Sequence, residues 1–375
     1  MHGDPPNRIG RRNVRGIQAC FHLQWQGFSL DVDLNLPAFG VTALFGHSGS
    51  GKTTLLRCMA GLERAPQGRL VVNGDVWQDD GLNNGSWVPT HQRALGYVFQ
   101  EASLFPHLTV LGNLRYGMRR TAHAHAHQEG LEQAIALLGI GDLLDRRPEG
   151  LSGGERSRIG IARALAMRPC LLLMDEPLAA LDLKRKQEIL PYLERLHREL
   201  EIPVIYVSHA ADEVARLADH IVVMEAGRAV AMGPLTETLA RLDLPIQLGE
   251  DVGVVLEAVV AERDVAWHLA RVDFPGGSLW VRDGGQSIGQ AVRVRILARD
   301  VSVALQPVTG TSIQNCLAAT VDQLADDHHP ASTLVRLQVG RSPLLARLTR
   351  RSAARLGLIP GMPVWAQIKA VALIG

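Results

Sequence analysis

The sequence predicts an α/β domain with a parallel sheet followed by an all-β domain, and three observations support this prediction. Between about residues 17 and 240, short apolar runs alternate with helical stretches, which is typical of strands joined by crossover helices. A glycine-rich segment, 46–53, falls between one such run and one such stretch. After about residue 240, helical signals become sparse and valines alternate with other residues, as in a β-barrel or sandwich.

Length and composition limit the number of domains and the class of protein. The 375 residues suit about two domains, and 46% hydrophobic with 21% charged residues is ordinary for a globular chain. A formal net charge of +1 provides no overall field for nucleic acid, so no nucleic-acid partner is expected. The expected boundaries are a disordered extension over 1–16, an α/β domain over 17–240 and a β-rich domain over 241–375.

The cysteines and the apolar runs indicate the compartment. The four cysteines are far apart and without zinc or CxxC spacing, so reduced thiols in the cytosol are expected. No run approaches the ~18 apolar residues that a membrane helix needs, and Arg11-Arg12 resembles a twin-arginine signal only superficially. Any membrane association is therefore expected to come through a partner protein.

The elements of the first domain can be placed in order. Residues 17–45 alternate as in strands, with a turn at 37–40 and a buried strand at 41–45, and a helix is expected from Lys52 to about Ala60. The segment 71–77 indicates a strand with a possible turn at Asn73-Gly74. Further predictions are a mainly helical region over 107–170 with a break at Gly153-Gly154, buried strands at 171–174 and 204–207, and a hairpin over 221–232.

The second domain carries a possible internal repeat. The spacing of apolar residues in 289–296 resembles that in 361–368, and strands are expected at 292–296 and 301–305. Two related small β units are a plausible interpretation of this short match.

Residues 46–53 fit the phosphate-loop pattern G-x-x-x-x-G-K-[ST], in the required place between strand and helix. The glycines let backbone N–H groups turn toward phosphate oxygens, and the helix N-terminus adds its positive dipole. Lys52 brings a full charge to the β- and γ-phosphates, and Thr53 brings a hydroxyl to Mg²⁺. The residues expected to bind nucleotide here are Gly46, His47, Ser48, Gly49, Ser50, Gly51, Lys52, Thr53 and Thr54.

The segment 171–176 supplies carboxylates to the same site. Four apolar residues indicate a buried strand, and Asp175 and Glu176 emerge at its C-terminal end. We expect Asp175 to hold Mg²⁺ through its water shell and Glu176 to accept the proton of an attacking water.

The string Leu151-Ser152-Gly153-Gly154-Glu155 decides between classes of phosphate-loop protein. It resembles the signature of the ABC ATPases, and a loop of this form can bind a γ-phosphate while Ser152 caps the helix that follows. The resemblance implies an ABC nucleotide-binding domain with a helical subdomain, ATP and Mg²⁺ as ligands, and a homodimer. In that dimer Ser152, Gly153 and Gly154 bind the nucleotide held by the other subunit. Ser157 departs from the glutamine that is commonest in the family.

Three further matches to the family follow in the required order. The resemblance implies that Gln100 contacts Mg²⁺ and the attacking water, that Asp182 lies at the dimer interface, and that His209 contacts the γ-phosphate. An aromatic residue upstream of the phosphate loop should stack on adenine, with Trp25 the first choice and Phe28 the second. His123, His125 and His127 lack a carboxylate or cysteine to complete a metal site, so an exposed helix start is the favoured interpretation.

Several stretches resemble the ATPase subunit of molybdate importers, among them 98–107, 113–118, 190–193 and 206–209, while 311–315 resembles the start of an OB-like molybdate-binding (Mop) domain. The resemblance implies a peripheral protein on the cytoplasmic face of the inner membrane that drives molybdate or tungstate uptake. Its implied partners are membrane permease subunits and, indirectly, a periplasmic oxyanion-binding protein.

The barrel itself is a candidate oxyanion site. Ser312 and Asn315 offer hydrogen-bond donors and Lys369 a positive charge. Gln314 stands where the family often has arginine, which leaves open whether the barrel binds the anion or serves assembly alone.

The alternatives are an importer of another anion such as sulfate, a non-transport ABC ATPase acting on DNA or ribosomes, and a molybdate storage or sensor protein that uses only the barrel. The absence of long inserts and zinc cysteines disfavours the non-transport ATPase. The intact ATPase motifs disfavour the storage or sensor protein.

Overall fold

The computed structural model describes residues 16–81, 85–118, 124–243, 252–307 and 310–374. The expected extension over 1–16 lies outside the described residues except for Gly16, and His123 also lies outside them. In the described part of the chain, no helix is both long and apolar enough to span a lipid bilayer.

The first domain is built on one eleven-stranded sheet. Its strands are β1 (Ile17–Trp25), β2 (Phe28–Leu36), β3 (Gly40–Phe45), β4 (Gln67–Val72), β5 (Asp75–Asp79), β6 (Ser86–Trp87), β7 (Leu95–Val98), β8 (Leu171–Asp175), β9 (Pro203–Val207), β10 (His220–Glu225) and β11 (Arg228–Pro234). They run in the order β6-β5-β4-β1-β2-β11-β10-β3-β9-β8-β7. The strands from β10 to β7 are mutually parallel, whereas β1, β2, β4, β5 and β6 pair antiparallel.

Burial explains the two kinds of strand. Every residue of β8 and β9 is buried, as expected for parallel strands covered on both faces. In β2 buried and exposed residues alternate, which matches the predicted polar–apolar alternation of one covered face. The predicted strands at 41–45, 171–174 and 204–207 and the hairpin over 221–232 are confirmed, and the segment 71–77 proves to be the end of β4, the predicted turn and most of β5.

Helices cover both faces of this sheet. They are α1 (Lys52–Ala60), α2 (Val110–Met118), α3 (Ala124–Leu138), α4 (Gly153–Leu165), α5 (Leu183–Glu199), α6 (Ala211–Leu217) and α7 (Leu235–Leu239). The predicted bounds of α1 and the helical character of 107–170 are confirmed. The predicted break at Gly153-Gly154 is wrong: these glycines open α4, because Ser152 and Glu155 form a capping box that satisfies the first turn.

Within the described residues, the second domain consists of two five-stranded antiparallel sheets and one α-helix. The strands are β12 (Gly253–Asp264), β13 (Leu269–Phe274), β14 (Gly277–Arg282), β15 (Ala291–Leu297), β16 (Val301–Ala304), β17 (Asn315–Asp326), β18 (Ser332–Val339), β19 (Ser342–Thr349), β20 (Pro363–Ile368) and β21 (Ala372–Ile374), and the helix is α8 (Arg350–Leu356). The strand orders are β14-β13-β12-β15-β21 and β16-β20-β17-β18-β19. Their apolar faces share one core, so the predicted all-β domain is confirmed.

The two sheets have the same hydrogen-bond pattern, which confirms the suspected repeat. Gly289 N donates to Val260 O at 2.7 Å, and Gly361 N donates to Val321 O at 2.7 Å. The register shifts at Val260 in one sheet and at Val321 in the other. The fifth strand of each repeat, β16 or β21, pairs with the fourth strand of the other repeat, so the two units are interlocked.

Two arginines of β15 join the domains. Arg293 donates to Ala218 O at 2.8 Å and to Asp219 Oδ1 at 2.6 Å, just after α6, and Arg295 forms an ion pair with Asp212 near its start. The second domain thus contacts α6 at both ends. The boundary near residue 240 stays a prediction, because residues 244–251 are outside the described ranges.

Candidate active site

Four parallel strands deliver the candidate residues to one edge of the sheet. The phosphate loop follows β3, and His209 follows β9. Asp175 is the last residue of β8, Glu176 comes directly after it, and Gln100 follows β7. The register pairs Leu44 with Val207, Val207 with Asp175, and Met174 with Val98. Because the carboxyl ends of neighbouring parallel strands meet at one edge, residues from four distant segments converge there.

The phosphate loop is shaped by its glycines. Gly51 has φ 101° and caps α1, and a Cβ there would lie 2.9 Å from the ring of Phe28. Gly46 has φ 156°, and a Cβ there would lie 2.2 Å from Met224 O. Gly49 has φ 81° in open space, and His47 and Ser48 beside it are exposed. The loop therefore packs tightly at both ends and leaves its middle, residues 47–49, exposed.

Lys52 places its ammonium group at the centre of this loop. Its Nζ donates to Gly46 O and His47 O, both at 2.8 Å, and lies 3.4 Å from Ser50 Oγ. Burial lowers the pKa of Lys52, and Glu176 and Asp175 oppose that shift. A lysine held by carbonyl oxygens can exchange them for phosphate oxygens, which are stronger acceptors because they are charged.

Thr53 and Asp175 form the part of the site that suits a divalent cation. Thr53 Oγ1 donates to Asp175 Oδ1 at 3.0 Å, and Tyr97 donates to Asp175 Oδ2 at 3.3 Å. Burial raises the pKa of Asp175, while these two hydrogen bonds act in the opposite direction. A hydroxyl and a carboxylate beside a phosphate loop match the few protein ligands that Mg²⁺ takes when phosphates supply the rest. Sequence reasoning missed Tyr97, which lies three residues before Gln100.

The described residues contain no group of three or more histidine, cysteine, aspartate or glutamate side chains arranged for a metal.

Glu176 and His209 lie together at the open side of this edge. Glu176 Oε1 and His209 Nδ1 are 3.1 Å apart, and Glu176 N donates to Val207 O at 3.1 Å. Glu176 has φ 45°, a left-handed conformation that a non-glycine residue adopts at a cost of about 1–3 kcal/mol. Such a strained carboxylate beside a histidine can accept a proton from water and be held in place by the imidazole.

Gln100 is exposed two residues beyond the end of β7. The segment after it is fixed from α4, where Arg163 donates to Ala102 O and Ser103 O, both at 3.0 Å. Asn113 of α2 is fully buried and donates to Phe105 O and Thr109 O. Gln100 therefore starts a loop that is anchored to the helices between β7 and β8.

Of the signature residues, Ser152 is exposed and Gly153 is half-buried, whereas Gly154 is buried. Ser152 hydrogen-bonds to Glu155 within its capping box, and a Cβ on Gly153 would lie 3.0 Å from Leu181. Asp182 caps α5 by accepting from Arg185 N at 2.9 Å. Ser152, Gly153 and Asp182 thus lie on adjoining segments. Ser157, the departure from the family pattern, donates to Pro177 O at 2.9 Å and ties α4 to the loop after Glu176.

The two candidate aromatic residues have different environments. Phe28 packs on Gly51 as described above, whereas Trp25 is 45% exposed and its ring centroid lies 6.0 Å from that of Phe28. Of the two rings, that of Trp25 is therefore the more accessible.

The three candidate oxyanion residues lie near the paired ends of β17 and β20. Asn315 is opposite Ile368, Lys369 follows it, and Ser312 and Lys369 are both exposed. The side chain of Asn315 is committed elsewhere: it accepts from Trp280 N at 2.7 Å and donates to Trp280 O at 2.9 Å. Asn315 therefore joins the two sheets and keeps at most one amide hydrogen for a ligand.

Comparison with known proteins agrees with this geometry. The model of the ABC transporter family matches residues 30–179, and that of the TOBE domain matches residues 311–375. A molybdenum import ATP-binding protein from Methylococcus capsulatus is 68% identical over 361 residues, 96% of this chain and 100% of the relative. One from Thiobacillus denitrificans is 69% identical over 359 residues, 96% of this chain and 98% of the relative.

A solved structure resembles the first domain. It is CbiO1 of Clostridium perfringens, described as part of the ABC transporter complex CbiONQ. It has 27% sequence identity and a TM-score of 0.52, covering 60% of this chain and 90% of that chain.

Proposed function

This chain belongs to the family of molybdenum import ATP-binding proteins of ABC transporters, and on that premise we propose that it hydrolyses ATP to drive molybdate or tungstate uptake through a membrane permease. The observation that carries the proposal is the convergence of Lys52, the Thr53–Asp175 pair and the Glu176–His209 pair at one sheet edge. ATP is the nucleotide of this family, and a phosphate loop beside a carboxylate and histidine has the parts needed to cleave it.

Each residue has a distinct task in this proposal. Lys52 and the N-terminal amides of α1 bind the phosphates, together with the exposed loop residues 47–49, the buried Ser50 and Thr54, and Trp25 stacks on adenine. Thr53 and Asp175, with Gln100 nearby, would hold Mg²⁺, which when bound neutralises charge on the phosphates. Glu176 accepts the proton of the attacking water, and His209 holds Glu176 and contacts the γ-phosphate.

The proposed working form is a homodimer. Ser152 and Asp182 are exposed and lie on adjoining segments, as Gly153 against Leu181 indicates. An exposed helix N-terminus with a serine and two glycines can bind a γ-phosphate of a second copy. We propose that Ser152, Gly153 and Gly154 bind the nucleotide held by the partner subunit, and that Asp182 lies at the interface between the two copies.

The proposed setting is the cytoplasmic face of the inner membrane. There the ATPase dimer docks on permease subunits, which receive the oxyanion from a periplasmic binding protein. The names of the relatives that cover 96% of the chain support molybdenum as the cargo.

A second role is proposed for the C-terminal domain as a sensor of cytosolic oxyanion. Ser312, Lys369 and the remaining hydrogen of Asn315 supply donors and charge near the ends of β17 and β20. Bound anion slows hydrolysis only if it binds an ATPase-incompetent arrangement of the dimer more tightly than the competent one. The shift between the two arrangements cannot exceed the difference in the anion's affinity for them.

The test is reconstitution with a molybdate-type permease and its periplasmic binding protein. Binding protein loaded with molybdate or tungstate should stimulate ATP hydrolysis, and sulfate should not; equal stimulation by sulfate would assign a different anion. In the same assay, millimolar molybdate on the cytosolic side should slow hydrolysis, and replacing Lys369 with alanine should relieve that effect. No binding by calorimetry to the full chain would refute the sensor role.

A further inference from the structure

Helix α6 begins two residues after His209 and carries a buried carboxylate that nucleotide binding does not explain. This residue, Glu213, is 5% exposed. An ionised carboxylate is costly to bury unless it is paired and hydrogen-bonded. Its partners therefore indicate what the carboxylate holds in place.

Glu213 has three partners on two other segments. Its Oε2 accepts from the hydroxyls of Tyr206 and Ser208, each at 2.8 Å, and its Oε1 accepts from Lys186 Nζ at 2.7 Å. Tyr206 lies in β9, Ser208 directly follows that strand, and Lys186 lies in α5. One carboxylate thus fixes the end of β9 and links it to a neighbouring helix.

Ser208 makes hydrogen bonds that fix the backbone next to His209. A hydroxyl has one hydrogen, and Ser208 donates it to Glu213, so its lone pairs are free to accept from Ala210 N at 3.1 Å. On the other side, Ser208 N donates to Leu44 O at 3.3 Å, beside the start of the phosphate loop. The main chain after His209 is therefore set by a hydroxyl whose direction Glu213 determines, and the main chain before it by the hydrogen bond from Ser208 N to Leu44 O.

The Lys186 contact extends the link to the surface assigned to the partner subunit. Lys186 N donates to Asp182 O at 2.9 Å, in the first turn of the helix that Asp182 caps. The ion pair is well shielded, with side chains 23% exposed for Lys186 and 7% for Glu213. A rigid connection thus runs from Asp182 through Lys186, Glu213 and Ser208 to His209.

We propose that Glu213 is a positioning residue for ATP hydrolysis. It holds His209 in place through Ser208 and fixes the position of His209 relative to the helix that begins at Asp182. The inference rests on the proposed role of His209. Misplacing a catalytic group by about 1 Å can cost up to ~100-fold in rate. Loss of the link should therefore lower kcat while nucleotide binding, which depends on the phosphate loop, persists.

The test compares Glu213→Gln and Ser208→Ala with a matched control. Glu194→Gln breaks a similarly shielded ion pair between the same two helices, Glu194 with Arg216, far from His209 in the chain. ATP affinity, KM, kcat and Tm are measured for the full-length protein. We expect kcat to fall at least ~10-fold in Glu213→Gln and Ser208→Ala with KM within ~2-fold, and Ser208→Thr, which keeps the hydroxyl, to restore kcat. Glu194→Gln should keep kcat whatever its effect on Tm.

The outcomes separate this inference from the proposed function. If His209→Ala abolishes turnover but Glu213→Gln and Ser208→Ala keep wild-type kcat, the positioning role is wrong and that of His209 stands. If Glu194→Gln lowers kcat equally, general loosening of the helices explains the effect and the inference is also overturned. If His209→Ala itself turns over normally, the proposed role of His209 fails and this inference fails with it. Should Glu213→Gln not fold, Ser208→Ala decides, because it leaves the ion pair intact.

Discussion

Arg93 closes the C-terminal end of α1, the helix that begins at the phosphate loop, and Arg93→Met should destabilise the first domain. The side chain is 5% exposed, and burial lowers its pKa to about 10, so it stays charged at neutral pH. It donates to Met59 O at 2.7 Å, Val88 O at 2.8 Å and Cys58 O at 3.2 Å. The guanidinium also lies 4.6 Å and 5.7 Å from the ring centroids of Trp87 and Trp77.

The expected loss follows from these contacts. Methionine fills much of the same space but cannot donate, so the carbonyls of Met59 and Val88 lose a buried donor, while Cys58 O keeps Gly61 N at 3.0 Å. A buried polar group without a partner costs about 1–3 kcal/mol. Each lost cation–π contact costs roughly a further 0.5–1 kcal/mol. We therefore expect Arg93→Met to lower the free energy of unfolding by at least about 3 kcal/mol.

Urea unfolding followed by tryptophan fluorescence measures this loss, because two tryptophans flank the site. The control is Arg64→Met. Arg64 also lies over Trp87, at 5.3 Å, but it is 57% exposed and pairs with Asp80 at the surface. Its loss should cost no more than about 1 kcal/mol. Equal destabilisation by the two variants would refute the view that Arg93 caps α1.

Three further predictions concern the site and the domain contact. Lys52→Ala should abolish nucleotide binding in a fluorescent-ATP titration, because the ammonium at the centre of the loop is lost; normal affinity would sink the phosphate-loop assignment. A mixed dimer with Ser152→Arg in one chain and Lys52→Ala in the other leaves one intact composite site, so it should hydrolyse more ATP than a dimer with both changes in one chain. Equal rates, in an assay that supports single-site turnover, would count against sites shared between subunits. Burial alone would raise the pKa of Asp219, but hydrogen bonds from His197 and Val41 N and the charge of Arg293 lower it to about 2 from 3.8. The stability from this group is thus fully present above about pH 4 and lost as the pH falls toward 2. Asp219→Asn should flatten that part of the stability profile, and an unchanged profile would show that the contact contributes nothing.

The sequence was sufficient where function depends on contiguous residues. The phosphate loop, the apolar strands at 41–45 and 171–174, and the helix from Lys52 to Ala60 are local patterns with a fixed physical reason, and the structure has them at the predicted places. Glu176 and His209 are 33 residues apart in the sequence, yet their side chains lie 3.1 Å from each other. This proximity follows from the parallel pairing of β8 and β9. Two neighbouring parallel strands that both end in polar residues already predict that these residues meet at one edge of the sheet.

The rest depends on contacts that spacing does not encode. Tyr97 reaches Asp175 across 78 residues, and Arg93 reaches Met59 across 34. Neither residue type nor local pattern indicates these partners. Gly153-Gly154 misled because glycine weakens helix interiors but is harmless in a first turn closed by a capping box. Asn315 looked like a ligand donor, and only the packing of the two sheets shows it bound to Trp280.

The central claim is that Glu176 drives hydrolysis in an ATP-bound dimer, and Glu176→Gln tests it most directly. The amide keeps the size of the side chain but cannot accept the proton of water, so turnover should fall by about 100-fold or more. ATP should still bind, because Lys52 and the phosphate loop are unchanged. Gel filtration with ATP and Mg²⁺ should then show a stable dimer that retains unhydrolysed ATP. A Glu176→Gln protein that hydrolyses ATP at the wild-type rate would contradict the account.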